Sequence, residues 1–194
     1  MVDESAIGFD PDLRPACKEE LEFPTDKRIF TLAAALKRGD SVDDLYELTK
    51  IDKWFLHRCK NITDFISFME KKAELSNEEL LKAKRLGFSD KFIARCIVSS
   101  ELVVQKQRYD NDIRPFVKKV DTVSAEYPAS TNYLYLTYNA DESDHNDRGG
   151  VMVLGSGVYR IGSSVEFDCC AVGCVMELSK VNLKKFLIFF EMIK

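Results

Sequence analysis

Gly155, Gly157, Arg160, Gly162 and Ser163 are the residues whose types and spacing come nearest to a chemical site. They lie in the run Gly155-Ser156-Gly157-Val158-Tyr159-Arg160-Ile161-Gly162-Ser163-Ser164. A short apolar stretch, Val151-Met152-Val153-Leu154, precedes the run, and residues 165–178 beyond it fit a helix. A glycine-rich turn from strand to helix exposes backbone N–H groups beside the positive end of a helix dipole, where phosphate binds. Arg160 can add a charged fork to the same anion. The spacing is G-x-G-x4-G, not the dinucleotide fingerprint G-x-G-x-x-G, and no second strand ending in an acidic residue follows. The Gly-Lys-Ser/Thr ending of a P-loop is also absent. A tight strand-to-helix turn whose glycines only permit close packing fits the same residues, so both readings stand.

Other constellations are weaker. Serine–histidine–aspartate chemistry needs one of only two histidines, His57 and His145. His57 falls within a helical pattern as a partly exposed face residue, and His145 in a polar, acidic loop. Glu166 and Asp168 are close enough in sequence to share a site, but they also suit the charged first turn of a helix. Cys169, Cys170 and Cys174 lack the Cys-x-x-Cys spacing of a zinc site. No secretory signal supports a disulfide framework for the six cysteines, which fit better as free thiols packed like small hydrophobes. No metal is expected.

The elements that must position these residues are punctuated clearly. Of nine glycines, six fall between Gly149 and Gly173 and three in the first 110 residues, so a helical part precedes a strand-and-loop part. Thr25 suits the cap of a helix over about residues 26–38, with Ile29, Leu32, Ala33 and Leu36 on one face and Gly39 as its stop. Ser41 opens a short helix whose Val42, Leu45 and Tyr46 face inward. Asp52 starts a third, with Phe55, Cys59, Ile62, Phe65, Ile66 and Met69 at helical spacing and Trp54 as a core anchor. Ser76 opens a fourth, closed by Gly87. Ser89 opens a fifth that carries Phe92, Ile93, Cys96, Ile97, Val103 and Val104 on one stripe. Beyond Pro115, residues 117–123 and 133–138 are extended in type. Val151–Leu154 has the continuously apolar form of a strand buried in a parallel sheet.

The repeated glycine-to-serine turns, Gly39 to Ser41 and Gly87 to Ser89, join helices economically; the alternative is a helix-turn-helix entering a major groove. Residues 25–110 carry 17 bases against 14 acids, too slight an excess to neutralise phosphates, so no nucleic acid is expected. Residues 1–24 carry seven acids against Arg14 and Lys18 and read as a solvated, poorly ordered arm. The apolar fraction of 45% and charged fraction of 31% describe a globular chain of 194 residues. No run of 18 or more apolar residues appears, so no membrane association is expected.

Several segments resemble one family in its own order. Tyr46-Glu47-Leu48-Thr49-Lys50-Ile51-Asp52-Lys53-Trp54-Phe55 and Leu86-Gly87-Phe88-Ser89-Asp90-Lys91 are similar to the helical domain between the two halves of the carbamoyl-phosphate synthetase large subunit. Val120-Asp121-Thr122-Val123-Ser124-Ala125-Glu126-Tyr127, with Thr131-Asn132-Tyr133-Leu134-Tyr135, resembles the stretch that follows it. The segment from Leu154 to Asp168, glycine loop included, resembles the opening of the second synthetase half. The wording is nearest to the multifunctional pyrimidine-pathway branch of the family. The resemblance covers about residues 1–178; Cys169 stands where relatives carry a larger aromatic, and the stretch from about 179 onward matches nothing in the motif set.

The resemblance implies a mainly α fold. A helical oligomerisation domain over residues 25–112 would follow the acidic arm of residues 1–24, itself the end of the preceding half. An incomplete α/β, Rossmann-like pre-ATP-grasp segment would occupy residues 113–194. The family makes carbamoyl phosphate from bicarbonate, glutamine-derived ammonia and ATP with magnesium. This chain lacks both ATP-grasp domains, so it is expected to bind no cofactor and catalyse nothing alone. Its expected partners are other parts of the synthetase or further copies of itself, through the helical domain. The expected compartment is cytoplasmic, or mitochondrial if the parent is the urea-cycle form. A stand-alone helical interaction module and a weak nucleotide binder using the 155–163 loop are the alternatives. One strand and one helix cannot complete a doubly wound sheet, and open strand edges invite pairing with other chains.

Overall fold

The computed structural model describes residues 9–120, 126–127, 133–144, 151–156, 165–180 and 185–190. They fall into two compact units, one within Phe9–His145 and one within Asn146–Lys194. The first unit holds seven helices, α1 (Lys18–Glu22), α2 (Arg28–Arg38), α3 (Val42–Thr49), α4 (Lys53–Met69), α5 (Asn77–Arg85), α6 (Asp90–Cys96) and α7 (Glu101–Asp110), among its described residues. Two strands, β1 (Phe116–Val120) and β2 (Tyr133–Thr137), complete it as an antiparallel pair with Phe116 opposite Thr137 and Val120 opposite Tyr133.

Four of the five expected caps, Ser41, Asp52, Ser76 and Ser89, act as the sequence indicates, and Ser100 adds one the sequence reading did not include. Ser41, Ser89 and Ser100 each accept the backbone N–H three residues on, at the starts of α3, α6 and α7. Ser76 and Glu79 form a reciprocal capping box on α5, and Asp52 accepts from the Trp54 N–H at the start of α4. Thr25 accepts from the Lys27 N–H but does not cap α2, which begins at Arg28. Gly39 ends α2 at φ +105° and Gly87 follows α5 at φ +94°, in the left-handed region. Nothing lies within 4 Å of where a Cβ would stand on Gly39. Gly39→Ala therefore meets no clash and is strained by its backbone alone; we expect a loss of about 1 kcal/mol in urea unfolding.

Two clusters of buried side chains organise this unit. Leu21, Leu32, Ala35, Leu36, Leu45 and Leu56 form one. Phe65, Ile66, Met69, Leu80, Phe92 and Ile93 belong to the larger one, which extends to Val104 and Ile113. α4 joins them, its first half facing the smaller cluster and its second half the larger.

Three expectations are corrected here. The single stripe from Phe92 to Val104 is two helices, because the chain breaks at Ile97–Ser100 and Val98 takes φ +54° before Ser100 caps a new helix. Trp54 is not a core anchor: it is 56% exposed and its neighbour Phe55 57%, while Leu56 takes the buried position. Residues 9–24 are not a free arm, since Leu21 and Asp10 are buried and Phe9 packs against the smaller cluster. The physical cause is amphipathic: the apolar Leu21 of α1 outweighs the acids around it, which lie on the outer side or find cations.

The second unit contains β3 (Val151–Ser156), α8 (Val165–Lys180) and β4 (Lys185–Phe190). β3 and β4 are parallel, with Val151 opposite Lys185 and Ser156 opposite Phe190, and α8 packs against both. The strand-helix segment is thus not left with a lone strand. The run Phe186-Leu187-Ile188-Phe189-Phe190 supplies the next one, as a continuous apolar stretch does in parallel sheets. The fold is mainly α with an incomplete sheet segment, as expected, and the described residues form two small two-stranded sheets. No helix among the described residues is long and apolar enough to cross a membrane.

Candidate functional site

The glycine loop leaves the end of β3. Gly155 is its first residue in the structure, paired in register with Phe189 of β4, and α8 resumes the chain at Val165. Gly157, Arg160, Gly162 and Ser163 lie outside the described residues. Glu166 and Asp168 stand in the first turn of α8, and His57 is exposed on α4; His145 lies outside the described residues. A strand, β3, thus precedes the residues outside the description and a helix, α8, follows them.

In the helical unit, the outward end of α4 carries an aromatic group. Trp54 and Phe55 meet edge to face at 4.9 Å between ring centroids. The Arg58 guanidinium lies 4.8 Å over the Trp54 ring, and Lys53 and Lys50 both approach the ring of Tyr46 on α3. Asp43 of α3 holds Lys53 of α4 in an ion pair and a hydrogen bond. That bond keeps the Asp43 carboxyl below its ordinary range.

Two ionic centres tie the elements of this unit together. Asp10 is buried and accepts from the Arg95 guanidinium at 2.7 Å and from the Asp12 N–H at 3.0 Å. Burial pushes its carboxyl up, but the hydrogen bonds from Arg95 and Asp12 with the charges of Arg95 and Lys37 outweigh it, and the group sits below its ordinary value. Asp12 and Glu70 share Lys37 of α2, at 3.0 and 2.6 Å. The segment at 10–12 is thereby tied to α6, α2 and the end of α4.

The second centre is Asp90 between Lys84 at 2.8 Å and Arg108 at 3.0 Å, linking α5, α6 and α7. Lys84 also donates to the Phe88 carbonyl and Arg108 to that of Ile113. A cleft of about 320 Å³ opens beside it between the α5–α6 turn and the end of β2. Its polar groups are already engaged, Arg85 with the Tyr138 carbonyl and Asn139 with that of Arg85. The cleft is a seam between hairpin and helices. The thiols are structural too: burial pushes Cys96 up to about 11 and raises Cys59, so both stay protonated and packed against the cores.

Sequence reasoning missed both ionic centres, because Asp10 and Arg95 are 85 positions apart and Asp90 and Arg108 are 18. It also placed Trp54 inward, where the structure exposes it.

The family model for the oligomerisation domain of the carbamoyl-phosphate synthetase large chain matches residues 1–112, more than half of the sequence. The chain belongs to that family. The carbamoyl-phosphate synthase preATP-grasp domain matches next, over residues 147–191, past the point near 179 where the motif resemblance stops. Multifunctional protein CAD of Squalus acanthias is 59% identical over 188 residues, covering 95% of this chain and 8% of the relative. Multifunctional protein URA2 of Saccharomyces cerevisiae is 50% identical over 191 residues, 95% of this chain and 9% of that protein. The mitochondrial arginine-specific carbamoyl phosphate synthase large chain of Neurospora crassa is 48% identical over 196 residues, 98% and 17% respectively. The carbamoyl-phosphate synthetase relatives therefore include both multifunctional and arginine-specific proteins, and the chain spans under a fifth of each.

Proposed function

We propose that this chain is the connecting and oligomerising segment of a carbamoyl-phosphate synthetase large chain, without catalysis of its own. The observation that carries it is the order of the two family matches, oligomerisation domain and then preATP-grasp domain. In this reading residues 1–24 end the preceding half, residues 25–112 form the helical domain, and residues 113–194 begin the second half. The parent makes carbamoyl phosphate from bicarbonate and glutamine or ammonia, with ATP and magnesium. Its branch is pyrimidine synthesis in the cytoplasm or arginine synthesis in mitochondria. Gly155, Gly157, Arg160, Gly162 and Ser163 face a phosphate only when the rest of the sheet is assembled around them. The order of β3 before that run and α8 after it supports that role.

The test uses the 194-residue chain. We expect no carbamoyl phosphate from bicarbonate, ammonia and ATP, and self-association in sedimentation. Melting temperature is expected to stay unchanged in millimolar ATP and magnesium, because a ligand that binds only the folded state raises it by mass action. Turnover by the chain would overturn the non-catalytic reading. A clear ATP-dependent rise in melting temperature would favour the 155–163 loop as an independent nucleotide site.

A further inference from the structure

We propose that residues 9–22 form a releasable strap, latched by the Asp10–Arg95 pair and hinged at residues 23–27, which opens as one piece while α2 to α7 stay folded. The strap stands whether or not the chain has the oligomerising role proposed above.

The strap cannot hold itself. α1 has five residues, and its N-cap residue Cys17 makes no side-chain cap bond. A helix so short is stable only against a partner. Its contacts with the smaller cluster are few: Leu21 is buried there, and Phe9 and Ala16 pack against it. Among the described residues, none of 9–22 belongs to the larger cluster. The connection to α2 is open, since every residue from Glu22 to Lys27 is exposed. A few unpacked residues at the end of an element are what a hinge requires.

The polar anchors divide unequally between strap and body. Arg28 of α2 donates to the Leu21 carbonyl of the strap, but also to the Thr49 carbonyl of α3. Lys37 pairs with Asp12 of the strap, but also with Glu70 at the end of α4. Arg95 of α6 holds Asp10, while its guanidinium lies 4.4 Å over the Phe92 ring and 41% of its side chain meets solvent. Each of these cations keeps a second partner, or water, when the strap leaves.

Asp10 has no such alternative. It is 1% exposed, and Arg95 is the one cation hydrogen-bonded to it among the described residues. Its other bond comes from the Asp12 N–H of the strap itself. A buried carboxylate without its cation retains its desolvation cost. Opening the strap returns Asp10 to water and gives up only the contacts of Phe9, Ala16 and Leu21 and the Glu20–Thr31 bond. Unfolding α2 to α7 would give up both clusters. The strap is therefore the element that leaves first when the latch fails, as a local opening unit does.

Peptide-level hydrogen exchange of the full chain reads this. Arg95→Met keeps an apolar stem over Phe92 and removes the charge. The α1 amides should then exchange at least about a hundredfold faster, with those of α4 and α7 within about threefold of the unmodified chain. Arg95→Lys, which restores a cation without the fork, should hold α1 within about tenfold of the unmodified chain. In the unmodified chain, low urea should leave α1 exchange nearly flat and accelerate α4, because the strap opening exposes little surface. Equal acceleration of α1 and α4 in Arg95→Met would make the pair part of one cooperative core and overturn the strap. No acceleration in α1 would overturn the latch. Parallel urea slopes for α1 and α4 in the unmodified chain would overturn the proposal even if Arg95→Met fails to fold.

Discussion

Leu56→Ala is expected to destabilise the helical unit by about 3 kcal/mol, read as a lower midpoint in urea with an unchanged slope. Leu56 is fully buried against Leu32, Leu36 and Leu45, on the helix that joins the two cores. Removing its branched end costs the transfer free energy of the lost carbons and leaves a cavity walled by α2 and α3. Those helices are held from other directions, α2 by the Arg28 hydrogen bonds to the Leu21 and Thr49 carbonyls and by Lys37, so the walls cannot collapse inward. Phe55, the next residue back, is a larger side chain, yet Phe55→Ala at dilute concentration should change stability by no more than about 0.5 kcal/mol. Equal losses from the two substitutions would mean that α4 is rotated by one position from the orientation described.

That contrast also shows where the sequence is ambiguous. Along α4 two apolar registers compete, one through Phe55, Cys59 and Ile62, the other through Leu56, Thr63 and Ile66. Hydrophobicity alone favours the stripe with the larger rings. Packing chooses Leu56 and buries Thr63, whose hydroxyl is satisfied locally by the Lys60 carbonyl. Nothing local marks Trp54 as exposed, because helical spacing alone does not say which face of α4 the neighbouring helices cover.

Features with a local physical cause were legible. Ser41, Ser76 and Ser89 carry their caps in the side chain itself, and Gly39 and Gly87 supply the left-handed backbone that ends a helix. The break at Val98 was not legible, since a β-branched residue gives no signal for positive φ and the apolar stripe runs across it. Ser100 was the available clue, a cap inside an apparently continuous helix. β4 was missed for a different reason: Phe186–Phe190 is apolar on both faces, which only its pairing with β3 explains. The strand before the glycine run and the helix after it were readable from residue type.

The second large effect belongs to Asp90, and long-range charge sets it. Asp90→Asn keeps the shape of the side chain but leaves Lys84 and Arg108 charged, both less than a tenth exposed. Breaking such a centre by removing one partner costs about 3–5 kcal/mol, because the remaining charges keep their desolvation penalty without compensation. Burial by itself raises the Asp90 carboxyl; the hydrogen bond and charge of Lys84, then those of Arg108, outweigh it and hold the group below its ordinary value. A carboxyl with a depressed folded pKa stabilises the fold fully above its unfolded value of about 3.9, and that stability is lost as pH falls through the folded value. Stability should therefore fall on acidification below about pH 4. Asp90→Asn should start from a lower plateau near neutrality and lose less over the same acid range, because the titrating group is gone. Urea unfolding at a series of pH values from neutral to acid reads both. Plateaus within about 1 kcal/mol of each other and parallel acid limbs would mean that Asp90 is solvated, with Lys84 and Arg108 held by the Phe88 and Ile113 carbonyls instead.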